Sequence, residues 1–168
     1  TGCGDDDGKE RDAWARRLCD RVGPQVKKIQ QANAAIAKAS EGEKSSKEVK
    51  ETDSAAFGDI SAAYAALAEA VRQAGEPPVD DGAKLHRDAV RELRSISASY
   101  RKLKETVDGL DTEDQGDFAK GLKKVAERLE KLGQSGDRAL NTLQSGELGQ
   151  AMAKQKGCQS PGASKGER

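Results

Sequence analysis

The chain has 168 residues, a length that suits one domain with a core of its own. Lysine plus arginine and aspartate plus glutamate both number 29, so no overall field attracts nucleic acid or an anionic surface. No apolar run reaches the roughly 18 residues needed to cross a bilayer. Aromatic residues make up 3% of the chain, which predicts a lean, alanine-rich core.

The N-terminal stretch, residues 1–8, is predicted to be a flexible tether because it is polar and rich in aspartate and glycine. Its Thr1-Gly2-Cys3 resembles the end of a bacterial lipobox, in which small residues precede a cysteine that is exposed by signal peptidase II and then lipidated. The resemblance covers three residues and implies a lipid on Cys3 that anchors the protein at a membrane without spanning it. The alternatives are a cloning remnant or an intermolecular thiol.

The first helix is predicted to start at Lys9 or Glu10, with Asp7 as N-cap, and to stop at Gly42. Proline removes a backbone hydrogen bond, so Gly23-Pro24 predicts a kink just after Cys19. The apolar residues of this helix recur at helical spacing: Trp14, Leu18, Val22, Val26, Ile29 and Ile36.

Three further long helices are predicted from their N-terminal capping residues and from the line of apolar residues, or seam, along one face of each helix. Ser45-x-x-Glu48 opens the second, Asp80 or Asp81 caps the third, and Thr112-x-x-Gln115 caps the fourth. From Leu85 to Leu110 the apolar residues of the third helix recur at steps of three and four, which is typical of a helix packed lengthwise on others. A short fifth segment, about 147–156, follows, and residues 159–168 are predicted to be a disordered tail.

The helix order predicts an all-α domain over residues 9–158. Short loops make neighbouring helices antiparallel. The residue numbers of two facing residues should therefore add up to nearly the same value along each pair of helices. All three hairpins meet this condition and share layers such as Val26, Ile60, Ile96 and Leu129. We therefore expect an antiparallel up-down-up-down four-helix bundle with a kinked first helix and a short C-terminal segment folded back on it.

The cysteines are predicted to include one disulfide. In the predicted topology the C-terminal segment folds back along the first helix and brings Cys158 to Cys19, which would indicate an oxidising compartment. The alternative is two free, partly buried thiols. The chain has no C-x-x-C pair and one histidine, which argues against a zinc site.

One predicted layer is polar, because Asn33 faces Asp53 in it. A buried polar pair fixes helix register or marks a ligand site, unless Asp53 turns outward to solvent. His86 has no partner histidine for a di-iron site, the scarcity of histidine argues against a catalytic triad, and Leu122 replaces the glutamate that a calcium loop would need. We therefore expect no catalytic residue, no metal, no cofactor and no nucleic-acid surface.

Trp14-Ala15…Cys19 and the late Gly157-Cys158, together with Cys3, resemble the small secreted lipoproteins of actinobacteria. These families are largely uncharacterised, so the resemblance implies a fold and a location, on the outer face of the cell membrane, but no catalytic residue.

The function that this location favours is non-enzymatic, an extracytoplasmic interaction or structural module whose helical surfaces act on an envelope protein partner. The alternative is an extracytoplasmic sensor or carrier that binds a small molecule between its helices, with the Gly23-Pro24 kink and the Asn33–Asp53 layer as its site. A filled seam favours the first, and an opening of roughly 300 Å³ or more with polar groups favours the second.

Overall fold

The computed structural model describes residues 3–159, with side chains from Gly8 onward. This range is helical and holds no strand, which confirms the all-α prediction. Its elements are a 3₁₀ helix at Lys156–Cys158 and five α-helices: α1 (Cys3–Glu41), α2 (Ser46–Ala74), α3 (Gly82–Asp108), α4 (Gln115–Leu143) and α5 (Gly146–Ala153). None of these helices is long and apolar enough to cross a lipid bilayer.

The first helix begins earlier than the sequence predicts. It begins at Cys3 rather than at Lys9 or Glu10. Consecutive acidic residues then lie near its start, where they suit the positive end of the helix dipole. It also runs through Pro24 as one helix. The predicted end at Gly42 is confirmed. Residues 160–168 of the predicted tail, like residues 1 and 2 of the tether, lie outside the described range.

The cap of α2 is confirmed, whereas those of α3 and α4 are corrected. The backbone N–H of Glu48 donates to Ser45 Oγ at 3.2 Å. Asp81 precedes α3 in the left-handed conformation and its side chain caps nothing. The N-cap of α4 is Asp114, whose carboxylate accepts from the Asp117 N–H at 3.1 Å, and not Thr112. A capping pattern thus found the right turn but the wrong residue.

The centre of the core lies between α2 and α3. Across this pair Lys50 Nζ donates to the carbonyl of Leu110, Ser61 Oγ to that of Ser97, and the His86 ring lies against the carbonyl of Val71. Successive contacts move forward along α2 and backward along α3, as the second predicted hairpin requires. The rings of Tyr64 and Tyr100 stack here with centroids 5.6 Å apart.

The outer helices pack unequally on this pair. The first helix lies against α2, against α5 and against the 3₁₀ helix, and α4 lies against α3. Several residues of the predicted apolar faces of α1 and α4 stay half-buried: Val22, Val26, Ile29 and Ile36 of α1, and Leu122, Leu129, Leu132 and Leu140 of α4. The apolar faces of α1 and α4 are therefore incompletely covered, and the opening between these two helices positions the site described next.

Candidate functional site

A cleft of about 760 Å³ lies between α1, α4 and the C-terminal segment, residues 146–159. Leu67, Val71 and Leu93 contribute from α2 and α3, and the first two are 1% exposed. The remaining apolar lining comes from α1, α4 and the C-terminal segment: Leu18, Val22, Pro24, Val26, Leu140, Leu143 and Met152. The cleft is thus an aliphatic hollow that opens where α1 and α4 separate.

Two glycines allow the C-terminal segment to form one wall of the cleft. A Cβ atom on Gly23 would lie 2.5 Å from the carbonyl oxygen of Gly157, and one on Gly157 would overlap the backbone of Cys19 and Asp20. Both positions therefore need glycine for the two backbones to approach. Gly23 was predicted only as part of the Gly23-Pro24 kink, and the structure shows that it is also a contact point.

The structure places Cys19 and Cys158 at disulfide distance, as predicted, with their Cα atoms 5.0 Å apart. Cys19 is fully buried and Cys158 lines the cleft. The pair joins positions 139 residues apart and fastens the C-terminal segment across α1. The backbone of Cys3 belongs to α1, but its side chain lies outside the described part, so lipidation of Cys3 stays a prediction.

The rim of the cleft is polar. Lys27 and Lys156 contribute two positive charges, Asp137 contributes one negative charge, and all three residues are exposed. Four side-chain amides complete the polar lining: Gln30, Asn141, Gln144 and Gln159. The arrangement can hold an apolar body inside and hydrogen-bond a polar end at the mouth.

The predicted pair of Asn33 and Asp53 is not joined. Asn33 is exposed, whereas Asp53 is 7% exposed and its Oδ1 is buried without a hydrogen-bond partner. Neither residue lines the cleft. Asp53 therefore faces inward, as the polar layer required, but it lacks the predicted partner and lies apart from the opening.

The buried carboxyl of Asp53 makes stability depend on pH. Burial raises its pKa from 3.8 to about 6. Between these values the folded state holds a proton that the unfolded state has released, so this group stabilises the fold below about pH 4 and loses that contribution as the pH rises through 6.

We expect Asp53→Asn to be more stable than the wild type at about pH 7.5, by up to about 3 kcal/mol, and nearly equal to it at about pH 4. Urea denaturation of both proteins across this range measures the difference. Other acids whose pKa is lowered, such as Asp88 and Asp108, are present in both proteins, so their contributions cancel in the stability difference. A difference that stays constant with pH would contradict the prediction.

His86 has a structural role in this fold. It is half-buried, and its Nε2 lies 2.9 Å from the Val71 carbonyl oxygen, at the end where α2 meets α3. Among the described residues, no group of three or more histidine, cysteine, aspartate or glutamate side chains is placed to hold a metal ion.

Tyr64 and Gly136 form a contact beside the cleft that was not predicted from the sequence. The hydroxyl of Tyr64 occupies the space that a Cβ on Gly136 would need. Burial, and secondarily the negative charge of Asp137, raise the pKa of Tyr64. The signal in the sequence was Gly136 itself, because a residue without a side chain on the inner face of α4 indicates close approach of a neighbour but does not identify it.

A second hollow of about 910 Å³, which we call the alanine groove, runs between α1 and α2 on another face. Seven alanines line it, and charged residues of both signs, such as Lys28 and Glu51, surround them. It differs from the cleft in lacking large aliphatic side chains and any residue of the C-terminal segment.

Comparisons with protein-family models, with curated proteins and with solved structures found no match to this chain.

Proposed function

We propose that this protein is a non-enzymatic carrier or sensor that binds a small molecule in the cleft between α1, α4 and the C-terminal segment. The observation that supports this function is the cleft volume of about 760 Å³, which falls within the roughly 300–1,000 Å³ of ligand sites and combines an apolar interior with a few polar groups at its mouth. A bundle that acted only through its outer surfaces would need no such opening.

We propose that the helices form an antiparallel four-helix bundle with a folded-back C-terminal segment. The opposed contacts between α2 and α3 support it, as do the short connections that join successive helices. In this arrangement α1 and α4 are the neighbours that separate around the ligand, and the C-terminal segment is a third wall.

We also propose that the protein works outside the cytoplasm, tethered to the outer face of the membrane by a lipid on Cys3. Support comes from the lipobox-like Thr1-Gly2-Cys3 and from the cysteine pair at disulfide distance, since disulfides persist in oxidising compartments. The likeness to actinobacterial lipoproteins rests on the same residues.

A second candidate function is the interaction module for an envelope protein partner. The alanine groove favours it, because small side chains allow another helix to approach closely. The interaction function makes no demand on the cleft, so a cleft variant that loses ligand binding tests the carrier function alone.

A thermal-shift screen against metabolites is expected to find a ligand that raises the melting temperature by about 5–10 °C at a hundredfold excess over its dissociation constant. Leu140→Trp, which fills the cleft from α4, should remove this shift. Leu132→Trp is the matched control, since Leu132 is also half-buried on α4 but lies outside the cleft. A shift that survives Leu140→Trp would contradict the cleft as the site.

A further inference from the structure

We propose that the cleft takes a single-chain aliphatic amphiphile with an anionic head group, a carboxylate or a phosphate. This inference rests on the proposed function and names the chemical class of its ligand. The aliphatic chain would lie against the interior of the cleft, and the head group would lie at the rim beside Lys27 and Lys156.

The lining of the cleft favours an alkyl chain over a flat or sugar-like ligand. Its apolar side chains are leucine, valine, methionine and proline, and no aromatic ring lines the described cleft. Aromatic side chains are the usual platforms for stacking on rings, whereas branched aliphatic side chains make dispersion contacts with any methylene group. No large hydrophobic side chain of the described residues is exposed.

The interior also excludes a buried charge. Charged lining residues are limited to Lys27, Asp137 and Lys156, and each of them is exposed. Desolvating an ionised group without a partner is costly, so an ionised end of the ligand has to remain at the mouth. A chain that is apolar along its length and charged at one end meets this condition.

The charges at the mouth select the sign of the head group. The two lysines outweigh the single aspartate by one positive charge, and neither lysine forms an ion pair with another described residue. The amides of Asn141 and Gln144 lie on the same rim and can donate hydrogen bonds to carboxylate or phosphate oxygens. A cationic head group would meet net repulsion in this place.

Isothermal titration of the full chain with submicellar hexadecanoate and hexadecyl phosphate tests the proposal and compares the two head groups. We expect saturable binding at one site for at least one of them, and at least tenfold weaker binding of hexadecyltrimethylammonium. Shortening the chain should weaken affinity by up to about fourfold for each methylene group removed. Equal binding of the cation, or no dependence on chain length, would overturn the proposal.

Charge variants show whether the head group lies at the rim. Lys27→Gln/Lys156→Gln should weaken binding of the anionic amphiphile by about three- to tenfold, the effect expected of two partly exposed ion pairs. Lys28→Gln/Lys154→Gln makes the same change in net charge with neighbouring lysines that do not line the cleft, and should leave affinity unchanged. Equal losses in both double variants would indicate adsorption through overall charge and would overturn the proposal.

The failure of this ligand class is distinguishable from the failure of the proposed function. If the amphiphiles do not bind, but the metabolite screen finds a ligand that Leu140→Trp excludes, the ligand class is wrong and the carrier function stands. If Leu140→Trp affects no ligand of either kind, both proposals are wrong.

Discussion

Replacing Cys19 and Cys158 with alanine is expected to lower the free energy of unfolding by about 3–5 kcal/mol. The loop closed by this pair spans 139 residues, for which the chain-entropy model gives about 5 kcal/mol, and measured disulfides commonly contribute about 2–4 kcal/mol. Urea denaturation followed by circular dichroism measures the change. Alanine is the better replacement at Cys19 because that position is fully buried and a serine hydroxyl would need a partner there.

Dithiothreitol provides the control for this prediction. It should shift the urea midpoint of the wild type towards that of the double variant and leave the double variant unchanged. Cys3→Ala should respond to the reductant as the wild type does, because Cys3 is not part of the pair. A wild-type midpoint that is insensitive to complete reduction would show that the pair contributes no stability.

Leu93→Ala and Leu132→Ala are expected to differ by about 2 kcal/mol or more in their effect on stability. The sequence places these leucines opposite each other in one layer, yet Leu93 is 1% exposed and Leu132 is half-buried. A buried Leu→Ala change costs about 2–5 kcal/mol, and a half-exposed one costs less because water already reaches the side chain.

The two variants remove the same atoms from adjacent helices, so each is the control of the other. Chemical denaturation at one pH gives both values. Equal losses would mean that Leu132 is as fully buried in solution as Leu93, and that α4 packs more closely on α3 than the structure shows.

The central part of the fold follows from the sequence. The heptad steps of α3 and the nearly constant residue-number sums with α2 depend on a simple period, and the contacts of Ser61 with Ser97 and of Lys50 with Leu110 follow it. The cap at Ser45 and the pairing of Cys19 with Cys158 also agree with the predictions, because a local capping signal and a returning chain end each leave few alternatives.

The outer parts and the site were harder to predict. Helical periodicity assigns Val26 and Leu129 to the inner face but does not say whether their helices touch, and both residues stay half-buried. The cap at Asp114 competed with an equally good pattern at Thr112. The pair of Asn33 and Asp53 failed for a related reason, since helix rotation by a fraction of a turn exposes one partner and leaves the other inside.

The attachment of the C-terminal segment to α1 has a consequence for biosynthesis. Met152 to Gln159 are synthesised after the four long helices, and they complete a cleft whose first wall comes from α1. A nascent or prematurely terminated chain can build its helices and still lack one side of the cleft. In the proposed carrier function, binding would therefore require the C-terminal segment to be in place on α1, and the pair of Cys19 and Cys158 would link that step to oxidation.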